Sequence, residues 1–263
     1  MNRTDELKRF IEYDYENDGV IEPEKRAQDL LTRLEDIIAA FTPAVIVKAG
    51  VGSGTLLAGI AKAGDAYIVV VEPSMKVISS FMQEHGQDDG IDRVHFINGE
   101  FNDFPVDYYA ADLLVSIDNF DFIESGRALD EFRRALQFEG LLFIGTVIIE
   151  KDDIEGVYDD FIRTLFPLHN DYYLEQDLKT FMELNEFSFV RGSSTSYEAD
   201  LGRRMSYFSA FTGRDTSAPS EFLNGHSKDF ERLYSLSGDS ISEPYFTGVF
   251  RRIKPDKDGS LKV

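Results

Sequence analysis

The chain of 263 residues contains no cysteine and no tryptophan, and it has only four histidines. The absence of cysteine excludes disulfides, thiolate nucleophiles, zinc–thiolate sites and iron–sulfur clusters. The histidines, His85, His95, His169 and His226, do not have the spacing of a helical metal-binding motif. We therefore predict no metal centre.

Basic residues are scarce as well. The 27 lysines and arginines are outnumbered by 48 acidic residues, which gives a formal net charge of −21. Such a field repels a nucleic-acid backbone or an anionic membrane surface unless a local basic patch overcomes it. The densest basic spots are two isolated pairs, Arg203–Arg204 and Arg251–Arg252. We therefore expect no nucleic-acid or membrane partner, and a neutral or cationic small molecule fits the charge better.

Long hydrophobic runs are also missing. No stretch approaches the ~20 consecutive apolar residues of a membrane helix. The first segment, MNRTDELKRFIEYDYENDGV, is acidic and lacks the apolar region of a secretory signal. We expect a cytoplasmic protein with a true core, since 43% of its residues are hydrophobic. Its oligomeric state is left open.

From residue 44 onwards, apolar runs alternate with helical patterns. The runs are AVIVKAG, AYIVVVEPS, DRVHFINGEF, ADLLVSIDNF and EGLLFIGTVII. Strands that are apolar on both faces and separated by helices predict an open, doubly wound, mostly parallel sheet in an α/β fold. We divide the chain into an N-terminal helical lid segment (1–41), a main domain (42–213) and a C-terminal extension packed on that domain (214–263).

The later part of the chain is less regular. FSFVRGSSTSY and RMSYFSAFTGR resemble two successive strands, and PYFTGVFRRI resembles a third. TSAPSEFLNGHS has the composition of a connection before a last helix, KDFERLYSL. Successive strands after a parallel series predict an antiparallel C-terminal edge, but the pattern does not decide which of the three runs form it.

A glycine motif follows the first predicted strand. Gly50, Gly52 and Gly54 form G-x-G-x-G immediately before a helix, for which Thr55 is a candidate cap. Glycines allow positive φ angles and let a ligand approach bare backbone. The free N–H groups of the following helix suit an anionic group such as a carboxylate or a phosphate.

Two acidic residues follow the glycines in chain order. Glu72 ends the second strand, 22 residues after Gly50, where an acid accepts hydrogen bonds from a ribose diol. Glu100 ends the third strand, where an acid can accept one from an adenine amine. All three elements reach the same edge of a parallel sheet. Together they predict an adenosyl cofactor, and Thr55 fits the dinucleotide fingerprint poorly.

The sequence resembles the class I S-adenosylmethionine-dependent methyltransferases over roughly residues 40–195. The matching segments are VIVKAGVGSGT, VVVEPSM, VHFINGEFNDFP, ADLLVSIDNFDFI, EFRRALQFEGLLFIGTV and YYLEQDLKTFMELNEFSFV. The resemblance implies a Rossmann-like fold with a seven-stranded sheet. It also implies an enzyme that binds S-adenosylmethionine and transfers its methyl group to an acceptor, here expected to be a small molecule.

The resemblance also implies roles for individual residues. Gly50, Gly52 and Gly54 would lie under the methionine part of the cofactor, and Glu72 would hold the ribose. Met75, Glu100 and Phe101 would surround the adenine, with Ser116 and Asp118 beside the sulfonium.

Lys48 departs from the family pattern, which commonly has an acid at this position, near the methionine ammonium. A lysine reverses the sign of that interaction. Lys48 would pair with Glu72, with Glu100 or with the cofactor carboxylate, or it would weaken cofactor binding. The simpler alternative is a lysine that extends from a strand end into water.

The acceptor site has less support in the sequence. Asp118 and His169 are the candidate catalytic groups, because a base is needed only if the acceptor arrives protonated. DNFD after the fourth strand is reminiscent of the tetrapeptide with which amino-methylating enzymes hold a nitrogen, although it lacks the two prolines. The candidate substrate-binding residues are Asn119, Asp121, Tyr172, Tyr173 and Tyr13, the last in an N-terminal lid together with Tyr15.

Three alternatives remain beside methyl transfer. One is aminoalkyl transfer from the same sulfonium, to which an acidic pocket for amines is suited. Another is a non-catalytic or repurposed S-adenosylmethionine-binding module, in which Lys48 marks a changed site. The least favoured is an NAD-dependent oxidoreductase, because no Tyr-x-x-x-Lys motif is present.

Overall fold

The computed structural model describes residues 3–17 and 24–254. The strands within these ranges are β1 (Val45–Ala49), β2 (Tyr67–Glu72), β3 (Val94–Asn98), β4 (Ala111–Ile117), β5 (Leu136–Val147), β6 (Phe187–Asp200) and β7 (Ser240–Arg252). The helices are α1 (Arg3–Glu16), α2 (Glu24–Phe41), α3 (Gly54–Lys62), α4 (Met75–His85), α5 (Ser125–Ala135), α6 (Val157–Leu165), α7 (Glu175–Leu184), α8 (Leu201–Thr212), α9 (Ser217–Gly225) and α10 (Ser227–Tyr234).

The seven strands form one sheet in the order β3-β2-β1-β4-β5-β7-β6. Strands β1 to β5 are parallel, whereas β7 runs antiparallel to both β5 and β6. The predicted α/β fold, with a mostly parallel sheet and an antiparallel C-terminal edge, is confirmed. The late strand β7 lies inside the sheet and β6 forms the edge.

Alternating strand residues face two separate core layers. Ile46, Val70 and Leu113 lie in one layer, and Val47, Val71 and Leu114 lie in the other. Both layers are apolar because helices cover both faces, which explains the nearly continuous hydrophobic runs of the central strands. The carboxyl ends of β1, β2 and β4 consequently meet at one edge of the sheet, at the point where the strand order reverses.

Two late segments differ from the prediction. RMSYFSAFTGR lies in the helix α8, whose buried residues Leu201, Arg204, Phe208 and Phe211 recur at helical spacing. Asp200 caps this helix by accepting a hydrogen bond from the Arg203 N–H. The strand prediction was wrong because the aromatic and β-favouring composition of the run obscured that period. TSAPSEFLNGHS, predicted as a connection, contains the helix α9.

Helix α1 lies across the carboxyl edge of the sheet. Phe10 is buried, with ring centroids 4.4 Å from Phe166 and 5.4 Å from Phe122. Glu12 accepts a hydrogen bond of 2.7 Å from the Ser74 hydroxyl at the start of α4. The division into 1–41, 42–213 and 214–263 stays a prediction, with β7 of the last range inside the common sheet. Within the described ranges, no helix has the length and apolar character needed to cross a membrane.

Candidate active site

The glycine loop between β1 and α3 needs glycine for two different reasons. Gly50 and Gly52 have φ angles of 78° and 60°, in the left-handed region that side chains disfavour. A Cβ atom at Gly54 would lie 2.9 Å from the His85 ring, so this position is limited by space. Ser53 caps α3 by accepting a hydrogen bond from the Leu56 N–H, and the prediction of Thr55 as the cap was wrong.

Lys48 is buried under this loop and does not extend into water; it is 1% exposed. Its Nζ donates hydrogen bonds to the carbonyl oxygens of Gly50 at 2.8 Å and Val51 at 3.1 Å. A Cβ atom at Gly52 would lie 3.2 Å from the same Nζ. The lysine therefore holds the loop in place through these two carbonyls. It also places a positive charge beside the loop backbone, on which a ligand would lie.

Glu72 is also buried at the end of β2. Its carboxylate oxygens accept hydrogen bonds from the backbone N–H groups of Val51 (3.0 Å) and Ser74 (2.9 Å). Burial raises the pKa of Glu72, while these two hydrogen bonds and the charge of Lys48 oppose that rise. A carboxylate has about four acceptor positions, so about two remain for hydroxyl donors of a ligand.

The end of β4 has a strained turn. Asp118 has a φ of 51°, and its backbone N–H donates to the carbonyl of Gly145 at 2.8 Å. Side chains other than glycine occupy this region at a cost, and such residues cluster at functional sites. The Asn119 side chain donates to the carbonyl of Ala49 and to the Ser116 hydroxyl, which ties β4 to β1.

These elements border one small cavity of about 90 Å³. The sheet edge contributes Lys48, Gly52, Glu72, Phe101, Ile117, Asp118 and Asn119 to its lining. The other side is formed by α1, through Leu7, Phe10, Ile11, Asp14 and Tyr15. The glycine loop and Glu72 were predicted to reach the same edge of the sheet, and the resemblance implied Asp118 beside the same ligand. All three line this cavity.

Asp118 is held by a buried ionic network. Its Oδ2 accepts a hydrogen bond of 3.0 Å from Arg26, which lies in α2 and is 0% exposed. Arg26 is also 3.6 Å from Glu243, and its guanidinium lies 4.4 Å from the centroid of the Tyr245 ring. Glu243 in turn accepts hydrogen bonds from Arg204, at 2.5 Å for the shorter one. The network fixes the direction of the Asp118 carboxylate.

Several predicted site residues lie around this cavity. Tyr172 and Asp121 line a second cavity that also touches Asp118, whereas Tyr173 stacks on Phe181 with centroids 5.6 Å apart. His169 Nε2 lies 2.7 Å from Asp159, and its ring contacts that of Tyr172.

Other predicted residues lie at the margins. Tyr13 packs on Tyr207 with centroids 5.0 Å apart, and its neighbour Tyr15 faces the cavity. Met75 is 54% exposed at the start of α4. Glu100 lines a surface groove that shares Phe101 with the cavity, and burial raises the pKa of Glu100.

Comparison with known proteins agrees with this geometry. Residues 46–140 match the family model described as a methyltransferase domain. Over these residues the chain is similar to a methyltransferase domain. This match and the fold confirm the predicted resemblance to the class I S-adenosylmethionine-dependent methyltransferases, and with it the prediction of an enzyme of that class. The domain match begins within β1 and covers the glycine loop, Glu72 and Asp118.

Solved structures with this fold are only distantly similar in sequence. A putative methyltransferase from Bacillus halodurans (BH2331) is 14% identical with a TM-score of 0.73, covering 84% of this chain and 98% of its own. YcgJ from Bacillus subtilis is 14% identical with a TM-score of 0.72, covering 86% and 98%. Geranyl diphosphate C-methyltransferase from Streptomyces coelicolor is 12% identical with a TM-score of 0.61, covering 96% and 99%. No curated protein matches the sequence.

The sequence analysis missed Arg26 and Glu243 as residues that support the site. Both belong to elements far from the motif segments in the chain, and a charged residue in an amphipathic helix normally indicates a solvated face. The signal that was available is Arg26 itself: it lies four residues before Leu30, on the apolar side of α2, where a charge requires a buried partner.

Proposed function

We propose that this protein transfers the methyl group of S-adenosylmethionine to a small-molecule acceptor. The observation that carries the proposal is the convergence of Lys48, Gly52, Glu72 and Asp118 on one cavity at the strand-order reversal. Ligands of open α/β sheets bind at this point. When bound, S-adenosylmethionine supplies a methyl group on a sulfonium whose leaving group is a neutral thioether.

The residues fit the parts of that cofactor. Glu72 retains acceptor positions for the ribose hydroxyls, and bare backbone at Gly52 leaves room for the methionine part. The N-terminus of α3 and the Lys48 ammonium favour the methionine carboxylate. Lys48 would thus attract the carboxylate of the methionine part, whereas the acid that is common in the family at this position lies near the methionine ammonium.

Phe101 and Ile117 provide the apolar walls of the cavity. Their role is to exclude water and to restrict the reacting groups to one orientation. Asp118 lines the cavity, and the sulfonium would lie beside it. His169, whose ring is oriented by Asp159, lines neither this cavity nor the second one that touches Asp118, so its role as a base stays a prediction.

Helix α1 acts as a lid. With α1 in place the cavity is about 90 Å³, below the roughly 300–1,000 Å³ of small-molecule sites. We infer that α1 moves outward to admit the cofactor and then packs against the bound cofactor, which excludes water. Two hydrogen bonds join α1 to α4: a partly buried one from the Ser74 hydroxyl to Glu12, and an exposed one of 2.9 Å from the Tyr15 hydroxyl to Glu84.

One observation favours a second candidate, a non-catalytic S-adenosylmethionine-binding module. Lys48 donates hydrogen bonds to two loop carbonyls, which is the arrangement expected of a residue with a structural role. Binding alone does not separate the two functions, but formation of S-adenosylhomocysteine does. Methylthioadenosine as the product would indicate aminoalkyl transfer.

Ligand-induced thermal stabilisation tests the cofactor assignment. A ligand at 100 times its Kd stabilises a protein by about 2.7 kcal/mol, which for a domain of this size raises the Tm by about 5–11 °C. We expect such a rise with S-adenosylmethionine and S-adenosylhomocysteine, and none with NAD. Equal shifts with NAD, or no shift with any of the three, would contradict the proposal.

A further inference from the structure

A second cavity lies directly beyond the cofactor cavity. It has a volume of about 20 Å³, and Asp118 and Phe122 line both cavities. Its other walls include the aromatic side chains of Phe166, Tyr172 and Phe208. A volume of this size holds one water-sized group. Its position next to Asp118 makes it the chamber in which the reacting atom of an acceptor would meet the sulfonium.

Asp121 faces this chamber with an unpaired oxygen. Asp121 is 6% exposed, and its Oδ1 has no hydrogen-bond partner within the described residues. A buried carboxylate oxygen without a donor costs free energy, so it calls for a donor from elsewhere. The two neighbouring carboxylates differ in this respect, since Asp118 is paired with Arg26 and Glu243 with Arg204.

The charges around the chamber do not balance. Three carboxylates, Asp118, Asp121 and Glu243, face two guanidiniums, Arg26 and Arg204. Counted over the described residues, these five groups are therefore one positive charge short when Asp121 is ionised. Burial, and after it the charge of Asp118, raise the pKa of Asp121 well above its usual range. Either a proton or a cationic guest makes up the missing charge.

We propose that the chamber binds the amino group of the acceptor and that the Asp121 carboxylate is the base that removes its proton. This inference rests on the proposed methyl transfer. An ammonium provides both the hydrogen-bond donor that Asp121 Oδ1 lacks and the single positive charge that the cluster lacks. The aromatic side chains of Phe166, Tyr172 and Phe208 line the same chamber, and aromatic rings attract a cation.

The acceptor enters as R–NH3+, and Asp121 takes one proton, which leaves R–NH2 and a neutral carboxylic acid. The nitrogen lone pair forms a bond to the methyl carbon while the carbon–sulfur bond breaks, and its electron pair stays on sulfur. The products are R–NH2–CH3+ and a neutral thioether, and Asp121 later loses its proton to water. The total charge of the reacting groups is +1 before and after.

The amino group, rather than a hydroxyl, is indicated by the charge count. A hydroxyl would also donate to Asp121 Oδ1, but it would leave the cluster with its net negative charge. Recognition by charge therefore predicts strong discrimination between an amine and the alcohol of the same shape.

The experiment uses the full chain saturated with S-adenosylhomocysteine. The probes are methylammonium, n-butylammonium and benzylammonium, each against the corresponding alcohol, with dissociation constants measured by titration calorimetry. The variants are Asp121→Asn and, as a matched control, Asp107→Asn, which removes one exposed carboxylate in the loop before β4. That loop lies at the amino end of β4, opposite the carboxyl ends of the strands where both cavities lie.

We expect at least one ammonium probe to bind at least tenfold more tightly than its alcohol. Asp121→Asn should abolish that preference, and Asp107→Asn should retain it. With the probe that binds, the rate of S-adenosylhomocysteine formation from S-adenosylmethionine should fall at least 100-fold in Asp121→Asn. The fall of the wild-type rate at low pH, where Asp121 is protonated, should be absent from this variant.

The outcomes separate this inference from the proposed function. Binding of S-adenosylhomocysteine without any preference for an ammonium would overturn the amine proposal and leave the methyltransferase proposal standing. A preference that survives in Asp121→Asn would likewise overturn it. Failure of both S-adenosylmethionine and S-adenosylhomocysteine to bind would refute the proposed function itself, and with it the inference.

Discussion

Replacing Arg26 with methionine tests whether the buried network holds the site together. Methionine preserves most of the volume and removes the charge, which pairs with Asp118 at 3.0 Å and with Glu243 at 3.6 Å. The side chains of Arg26 and Glu243 are 0% and 1% exposed, so little solvent screens these contacts. Breaking a buried pair by removing one partner costs about 3–5 kcal/mol.

Because Arg204 still pairs with Glu243 in that variant, we expect the lower end of the range, about 3 kcal/mol. For a domain of this size that corresponds to a fall in Tm of about 6–12 °C. The chain has no tryptophan, so urea unfolding followed by far-UV circular dichroism is the suitable assay. Arg33→Met is the control: it lies on the same helix and its side chain contacts Ser193 at the surface.

The double variant Arg26→Met/Asp118→Asn sharpens the test. If Asp118 lowers the stability of Arg26→Met only because its carboxylate has lost its partner, the double variant should have a free energy of unfolding at least about 1 kcal/mol higher than that of Arg26→Met. A loss below about 1 kcal/mol for Arg26→Met, comparable to a surface substitution, would refute the reasoning. Equal losses for Arg26→Met and Arg33→Met would do the same.

Three further predictions concern the lid, the loop lysine and the chamber. Phe10→Ala should cost about 3–5 kcal/mol in urea unfolding, because the ring fills the space between Phe122 and Phe166; a cost under 1 kcal/mol would mean that α1 is not packed there. Lys48→Met should weaken S-adenosylmethionine binding at least fivefold in calorimetry, and tighter binding would show the lysine to be a liability. Asp121→Asn should stabilise the protein at pH 8, with a gain that shrinks as the pH falls towards 4; a gain independent of pH would contradict the charge assignment.

The sign of that last prediction follows from the raised pKa of Asp121: burial and the charges of Asp118 and Glu243 raise this pKa, and the charge of Arg26 lowers it. Arg204 and Tyr172 line the same chamber. The folded state binds the proton more tightly than the unfolded state. Stability from Asp121 is therefore full below the ordinary pKa of an aspartate and is lost as the pH rises through the raised value. The neutral asparagine does not incur that loss.

The central sheet could be predicted from the sequence because its strands are apolar on both faces. Runs such as YIVVVE have no other stable position in a small domain than the middle of a covered parallel sheet. The prediction was wrong for the late segments because their composition and their spacing indicate different elements. In α8 the aromatic residues suit a strand, and only their helical spacing, with the Asp200 cap, decides for the helix.

The cofactor side of the site was predictable because each element is local in sequence. Gly50 and Gly52 need positive φ angles within one turn, and Glu72 follows at a fixed distance in a βαβ unit. The acceptor side depends on contacts across the chain, such as Arg26 with Asp118 over 92 positions. No periodicity or motif encodes such a pair, and only the folded chain shows it.

The central claim is that the cavity under α1 binds S-adenosylmethionine through Glu72. Titration calorimetry of S-adenosylhomocysteine into the wild-type protein and into Glu72→Gln tests it most directly, with Glu35→Gln on the exposed side of α2 as the control. We predict one binding site per chain, affinity reduced at least tenfold in Glu72→Gln, and little change in Glu35→Gln. Absence of binding heat in the wild type, or unchanged affinity in Glu72→Gln, would contradict the account.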